Sequence, residues 1–248
     1  MNPIRSLMRL AAPPTFFRVS GTLIRLLTPA ALVLGAVGLW LALFVTPTDA
    51  QQGEAYRVLY VHVPAAWLSM FLYALAAGYG ALHWVYRTPV SAVMLRALLP
   101  TGAWMTVVAL ITGALWGKPT WGTYWVWDAR LTSELLLLFL YIGLMALASL
   151  VEDETKVDRA LALFAVVGVF NIPLIYFSVV FWNTLHQGAS LGAPGAPRMA
   201  GEMKTALLLC TLAMWFACAS IVLARARWLL VLREAGTGWV KKESGWMR

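Results

Sequence analysis

Residues 131–151 read Leu-Thr-Ser-Glu-Leu-Leu-Leu-Leu-Phe-Leu-Tyr-Ile-Gly-Leu-Met-Ala-Leu-Ala-Ser-Leu-Val, and Glu134 is the only charged side chain among them. About 20 mostly apolar residues make a helix long enough to cross the hydrocarbon core of a bilayer. A membrane-barrel strand would instead alternate apolar and polar positions over about 10 residues. This run is continuously apolar for twice that length, so it reads as a helix. Five more stretches share the pattern: Leu26–Val45, Val63–Val85, Leu98–Trp116, Ala160–Trp182 and Thr205–Ala224. None of the six holds a Lys or Arg. The predicted fold is all-α: one polytopic membrane domain over residues 1–248, with six transmembrane helices. The connections 46–62, 86–97, 117–130, 152–159 and 183–204 leave no room for a soluble domain.

Whole-chain composition agrees. The chain is 61% hydrophobic and 12% charged, where soluble domains run at about 45–50% and 25%. A water-soluble globule could not hide that much apolar surface, and the same figures exclude disorder. The net charge of +8 does not mark a nucleic-acid partner, because its distribution follows membrane topology. Arg5, Arg9, Arg18, Arg25, Arg87, Arg96, Lys156, Arg159, Arg225, Arg227, Arg233, Lys241, Lys242 and Arg248 fall on one side of the predicted bilayer. Only Arg57, Lys118, Arg130, Arg198 and Lys204 fall on the other. The excess marks the cytoplasmic side and predicts that both termini are cytoplasmic, with 1–25 and 225–248 as basic tails. Residues 1–25 read equally as a short interfacial helix or as an unstructured basic tail. Thr48-Asp49-Ala50 resembles a signal-peptide cleavage site, but the basic lead and the apolar run are both too long for one. The first span is therefore predicted to be retained.

Cys210 and Cys218 both lie in the sixth span. Eight residues of helix rise about 12 Å, too far for a disulfide. There is no Cys-x-x-Cys-His, so the chain does not attach haem to itself through thioethers. There is no glycine-rich phosphate loop either, and nothing predicts a nucleotide site.

The chemistry concentrates on the outer face. Of three histidines, His62 starts the second span and His186 follows the end of the fifth, which brings both to that face. His83, at the cytoplasmic end of the second span, reads as a polar tip reaching for the interface. Pro64 fits the first turn of a helix. That places His62 near the positive end of the helix dipole, which favours the neutral, metal-binding imidazole. Between the third and fourth spans, four of the chain's 13 tryptophans (Trp116, Trp121, Trp125 and Trp127) fall within twelve residues. An interfacial belt would scatter tryptophan over many loops. A single cluster mixed with Gly, Pro, Asp and Arg reads as a platform for a large planar ligand with a charged edge.

Haem meets these features together. Its iron accepts imidazole on either face, and Arg57 and Arg130 are candidate partners for its propionates. Arg130 also reads as a salt-bridge partner of Asp128, which shapes the loop rather than touching iron. Zinc is the rival, but it needs three or four ligands and would have to recruit Asp128 or Glu202. Glu134 reads either as a direct participant or as a group bonded to the loop backbone. Asn171 and Pro173 predict a kink with an interhelical hydrogen bond, aiming the helix end that carries His186.

The run from Trp116 to Glu134 closely resembles the tryptophan-rich WWD signature of haem-handling membrane proteins. With six spans and outer histidines at 62 and 186, the whole chain resembles the CcmC family, haem exporter protein C of system I cytochrome c maturation. Larger relatives that ligate haem to apocytochrome carry many more spans. The resemblance implies a bacterial inner-membrane protein that holds haem b as cargo at the periplasmic face. It implies His62 and His186 as axial ligands, and Trp116, Trp121, Trp125, Trp127 and Asp128 as the platform. Residues 117–130 would be the periplasmic loop. The implied partners are the haem chaperone CcmE, the small membrane protein CcmD and the CcmA–CcmB transporter. A histidine of CcmE would become linked to a haem vinyl group. Whether this chain promotes that bond or only positions haem is left open, and no catalytic residue is assigned. Two other readings stand beside it: a haem transporter across the bilayer, and a bis-histidine b-type electron-transfer cytochrome.

Overall fold

The computed structural model describes residues 11–150, 153–182, 184–186 and 199–243. Arg5, Arg9, Arg198 and Arg248, used above to assign sides, lie outside the described residues. The described chain is helical and contains no strand. Its helices are α1 (Pro13–Trp40), α2 (Leu59–Tyr86), α3 (Pro89–Trp121), α4 (Ala129–Leu150), α5 (Glu154–Gly168), α6 (Asn171–Phe181), α7 (Gly201–Arg233) and α8 (Gly238–Glu243). A π-helical turn, Leu41–Val45, continues α1, and a 3-10 turn, Glu54–Val58, leads into α2. Six helical segments are long and apolar enough to span a bilayer, with α5 and α6 together forming one of them. The protein is a multi-pass membrane protein.

Most helices outrun the predicted spans. Helix α1 begins at Pro13, not Leu26, and α7 continues to Arg233. Apolar runs mark only the part of a helix that crosses hydrocarbon. Capping and proline chemistry in the polar flanks set the true ends. Thr88 caps α3 by accepting the Ser91 N–H at 3.2 Å, with Pro89 following at the first helical position. The expected 86–97 connection thus shrinks to a turn in which Arg87 takes the left-handed conformation. His83 is buried there rather than reaching for the interface, with Nδ1 3.3 Å from the Thr88 carbonyl and 3.3 Å from Ser91 Oγ. At 33 residues, α3 is about 50 Å long, so it projects beyond a hydrocarbon core of about 30 Å.

Helices α2 and α3 form the central hairpin, with α4, α5 and α7 packed around it and α1 lying against α7. Just over half of the apolar window of α2 is buried, against 17% for α1, which lies at the edge of the bundle. In the core, Tyr73 and Tyr141 meet edge to face at 5.0 Å, and Tyr141 donates to the Ser69 carbonyl at 2.8 Å. Helix α5 ends at Gly168 and α6 restarts at Asn171, whose Nδ2 donates to the Ser133 carbonyl of α4 at 2.9 Å. This is the predicted break with its interhelical bond. At the end where the α1 start meets α8, Asp158 is almost fully buried and accepts from Arg96 and Arg233, each at 2.7 Å. That pair of bonds ties α3, α5 and α7 together. Cys210 and Cys218 are buried and unpaired with each other.

Candidate functional site

At the opposite end of the bundle, α2, α3, α4 and the segment following α6 enclose a cleft of about 680 Å³, counting the open space at its mouth. His62, His186, Trp116, Trp121, Arg130 and Glu134 all line it. The two imidazole rings are 6.2 Å apart between centroids and inclined by 35°. A metal held between opposed imidazoles, at about 2 Å from each nitrogen, keeps the ring centroids roughly 6 Å apart. The observed spacing therefore fits two histidines sharing one iron. Trp116 stands edge-on to His62 at 5.7 Å, and Trp121 lies 6.0 Å from His186.

His62 is the fourth residue of α2, and Pro64 is inside the helix rather than in its first turn as expected. The reason is the 3-10 turn Glu54–Val58, which winds the chain before Pro64 is reached. The His62 ring is fixed by groups on α3. Its Nδ1 lies 3.1 Å from Thr112 Oγ1, and Thr112 in turn donates to the Val108 carbonyl at 2.6 Å. A hydroxyl has one proton. With that proton on Val108, Thr112 accepts from Nδ1–H, and Nε2 keeps the lone pair a metal requires. Gly113 backs the same ring so closely that a Cβ there would lie 3.0 Å from His62 Cε1.

The tryptophan cluster divides in two. Helix α3 continues through Trp121, so Trp121 joins Trp116 on a helix and does not belong to the loop expected from residue 117. Gly122, with φ of 80°, ends the helix in the left-handed conformation. Trp116 Nε1 donates to Gln52 Oε1 at 2.8 Å, which joins the α1–α2 connection to the cleft wall. Trp125 and Trp127 pack edge to face at 5.4 Å but do not line the cleft, and Trp127 is 77% exposed.

Asp128 also stands outside the lining. Its Oδ1 accepts the Leu131 N–H at 2.8 Å, capping the first turn of α4, and its Oδ2 accepts from Thr184 Oγ1. Each oxygen accepts one hydrogen bond, and no Asp128–Arg130 bridge forms. Arg130 donates to the Ile175 carbonyl at 2.9 Å. It forms no ion pair among the described residues, though Glu134 and Asp128 lie near enough to act on its charge, and it lines the cleft. Arg57 is not brought to the cleft. Its guanidinium donates to Glu54, to the Ala42 carbonyl, and to Oγ1 and the carbonyl of Thr46 at 2.7 and 3.1 Å. It serves the carbonyl end of α1, where a cation is favoured. Glu134 lines the cleft and accepts from Ser69 Oγ at 2.7 Å rather than from the loop backbone.

Among the described residues, no three of His, Cys, Asp and Glu converge as a metal site. Two imidazoles suit an iron whose remaining ligands come from a macrocycle better than they suit zinc. Sequence reading missed Gln52, Thr112, Gly113 and Thr184. Thr112 is 50 residues from His62 and sits in an unbroken apolar run, so no local pattern reveals it.

Fold and site together define a polytopic helical membrane protein with paired imidazoles in an aromatic-walled cleft at one end of the bundle. The chain belongs to the CcmC family, described as Heme exporter protein C, which matches residues 6–241. It is similar to Heme exporter protein C of Escherichia coli K12, 40% identical over 239 residues, 96% of each chain. It is also similar to Heme exporter protein C of Bradyrhizobium diazoefficiens, 42% identical over 224 residues, 90% of this chain and 84% of the relative. A ccmC-like mitochondrial protein of Marchantia polymorpha, named for cytochrome c biosynthesis, is 44% identical over 162 residues, 65% of this chain and 68% of its own length.

Proposed function

We propose that this protein holds haem b as cargo at the periplasmic face of the bacterial inner membrane and delivers it to the haem chaperone CcmE during c-type cytochrome biogenesis. CcmD and the CcmA–CcmB transporter are its other partners in this reading. The observation that carries it is the 6.2 Å pairing of His62 and His186 beside Trp116 and Trp121, in a chain whose relatives are named for haem export. His62 and His186 ligate the iron. Arg130 takes a propionate, and Trp116 and Trp121 flank the porphyrin. Trp125, Trp127 and Asp128 form the loop that meets the chaperone. The 14 to 5 split of basic residues supports a cleft facing the periplasm and cytoplasmic termini. The chain's own residues bind and orient the cargo, and the nucleophile for covalent capture is the chaperone's histidine.

Transport through the bundle fits less well. It would need a polar path across the membrane. Between the cleft and the Asp158 cluster the core is filled by Leu68, Tyr73, Leu98, Leu137 and Tyr141, all fully buried or nearly so. A b-type electron-transfer cytochrome usually buries its haem between helices within the bilayer, whereas this cleft is at the bundle end. The test is transfer in a purified system. Haem-loaded protein with CcmD is mixed with the soluble domain of CcmE, and haem on the chaperone is followed by haem staining. Wild type is expected to load CcmE, and His62→Ala and His186→Ala are expected not to. A chaperone left without haem by loaded wild type overturns the delivery reading.

A further inference from the structure

The two candidate ligands are held in different ways. His62 is buried on α2, with its ring fixed by Thr112 and Gly113 of α3. His186 follows α6, its ring faces those of His62 and Trp121, and its backbone is tied as well. Its N–H donates to Thr184 Oγ1 at 3.1 Å, and Thr184 in turn donates to Asp128 Oδ2. The other oxygen of Asp128 accepts the Leu131 N–H. Asp128 follows the exposed Trp127 and closes the tryptophan loop. One hydroxyl can accept from His186 and donate to Asp128 at once. Serine at 184 could do the same, and valine could do neither.

We propose that Thr184 is a positioning residue that couples His186 to the tryptophan loop through Asp128, so that a partner displacing the loop withdraws His186 from the haem iron while His62 remains. The inference rests on His186 being an axial ligand, as read above. When the bond from His186 to iron breaks, its electron pair stays with the imidazole, and the vacated position accepts a ligand from the partner. No change of iron oxidation state is required.

The experiment uses the full chain in detergent, loaded with ferric haem. It reads the absorption and electron paramagnetic resonance spectra and the rate of haem loss to an apoglobin scavenger. Partners that orient a metal-bound histidine are worth about 10–100-fold in affinity. Thr184→Val is therefore expected to lose haem about 10–100 times faster and to lose its low-spin signal, with free imidazole restoring the signal. Thr184→Ser is expected to stay within about twofold of wild type, since its hydroxyl makes both bonds. Asp128→Asn, which leaves one acceptor for two donors, should move the same way as Thr184→Val. The double variant should be no worse than the worse single, because both act on one chain of contacts. Wild-type behaviour of Thr184→Val overturns the proposal. So do multiplicative losses in the double variant, or a loss that neither serine nor imidazole repairs. His186→Ala separates the two levels. If it keeps the wild-type spectrum, the ligand reading fails. If it loses the spectrum while Thr184→Val does not, only the coupling fails.

Discussion

Replacing Gly113 by alanine tests whether the His62 ring must stay where α3 holds it. The new Cβ would lie 3.0 Å from Cε1, 3.5 Å from Nδ1 and 3.9 Å from Nε2 of His62. Carbon atoms pack at about 3.5–4.0 Å, so the ring must retreat by a few tenths of an ångström. That shift is larger than the roughly 0.2 Å latitude of a metal–ligand distance. It also disturbs the 3.1 Å contact from Nδ1 to Thr112. Haem affinity is expected to fall about 10–100-fold, the usual effect of disturbing the support of a metal-bound histidine. Folding should suffer less. Alanine gains about 0.5–1 kcal/mol over glycine within a helix, which offsets part of an overpacking cost of about 1–3 kcal/mol. The assay is haem titration by absorption alongside thermal melting of the haem-free protein. Gly78→Ala is the control, because a Cβ there meets nothing within 4 Å, and it should match wild type in both. If Gly113→Ala bound haem like wild type, the reasoning about His62 would be refuted.

Thr112→Val removes the acceptor at His62 Nδ1 and should weaken haem binding by at least about tenfold, whereas Thr112→Ser should retain it; spectral titration checks both. Arg130→Ala should weaken haem by about 1.5–3 kcal/mol, the range for a hydrogen bond to a charged group, yet leave binding of haem dimethyl ester unchanged, as competition between the two ligands would show. Arg57→Ala should instead lower the melting temperature while leaving haem affinity near wild type, because its guanidinium sits on α1 carbonyls. Asp158→Asn leaves Arg96 and Arg233 with an uncharged partner in a buried site. It should destabilise the fold by about 3–5 kcal/mol, seen as a lower melting temperature with an unchanged haem spectrum at the far end of the bundle.

The fold was legible because a bilayer leaves so few solutions. Six apolar runs without Lys or Arg must be helices when the backbone has no water to bond. Helix ends were less legible, since Thr88, Asp128 and the 3-10 turn before α2 set them from polar stretches that carry no periodicity. Topology alone brings His62 and His186 to one face, and the cleft contains both. It could not say which way a long side chain turns. Arg57 and Arg130 share a face, but Arg57 is drawn to the carbonyl end of α1 and Arg130 into the cleft. The tryptophans divide for a related reason. Helix α3 runs on through Pro119 to Trp121, which fixes Trp116 and Trp121 on the wall and leaves Trp125 and Trp127 to the loop. Thr112 and Gly113 act across a helix pair, a relation that sequence spacing does not encode.

The central claim is that His62 and His186 grip one iron. Low-temperature electron paramagnetic resonance of ferric haem bound to wild type, His62→Ala and His186→Ala tests it most directly. Ligation by both imidazoles predicts a low-spin signal in wild type, a high-spin signal in each variant, and return of the low-spin signal when imidazole is added. A low-spin signal that survives either substitution without added imidazole would contradict it.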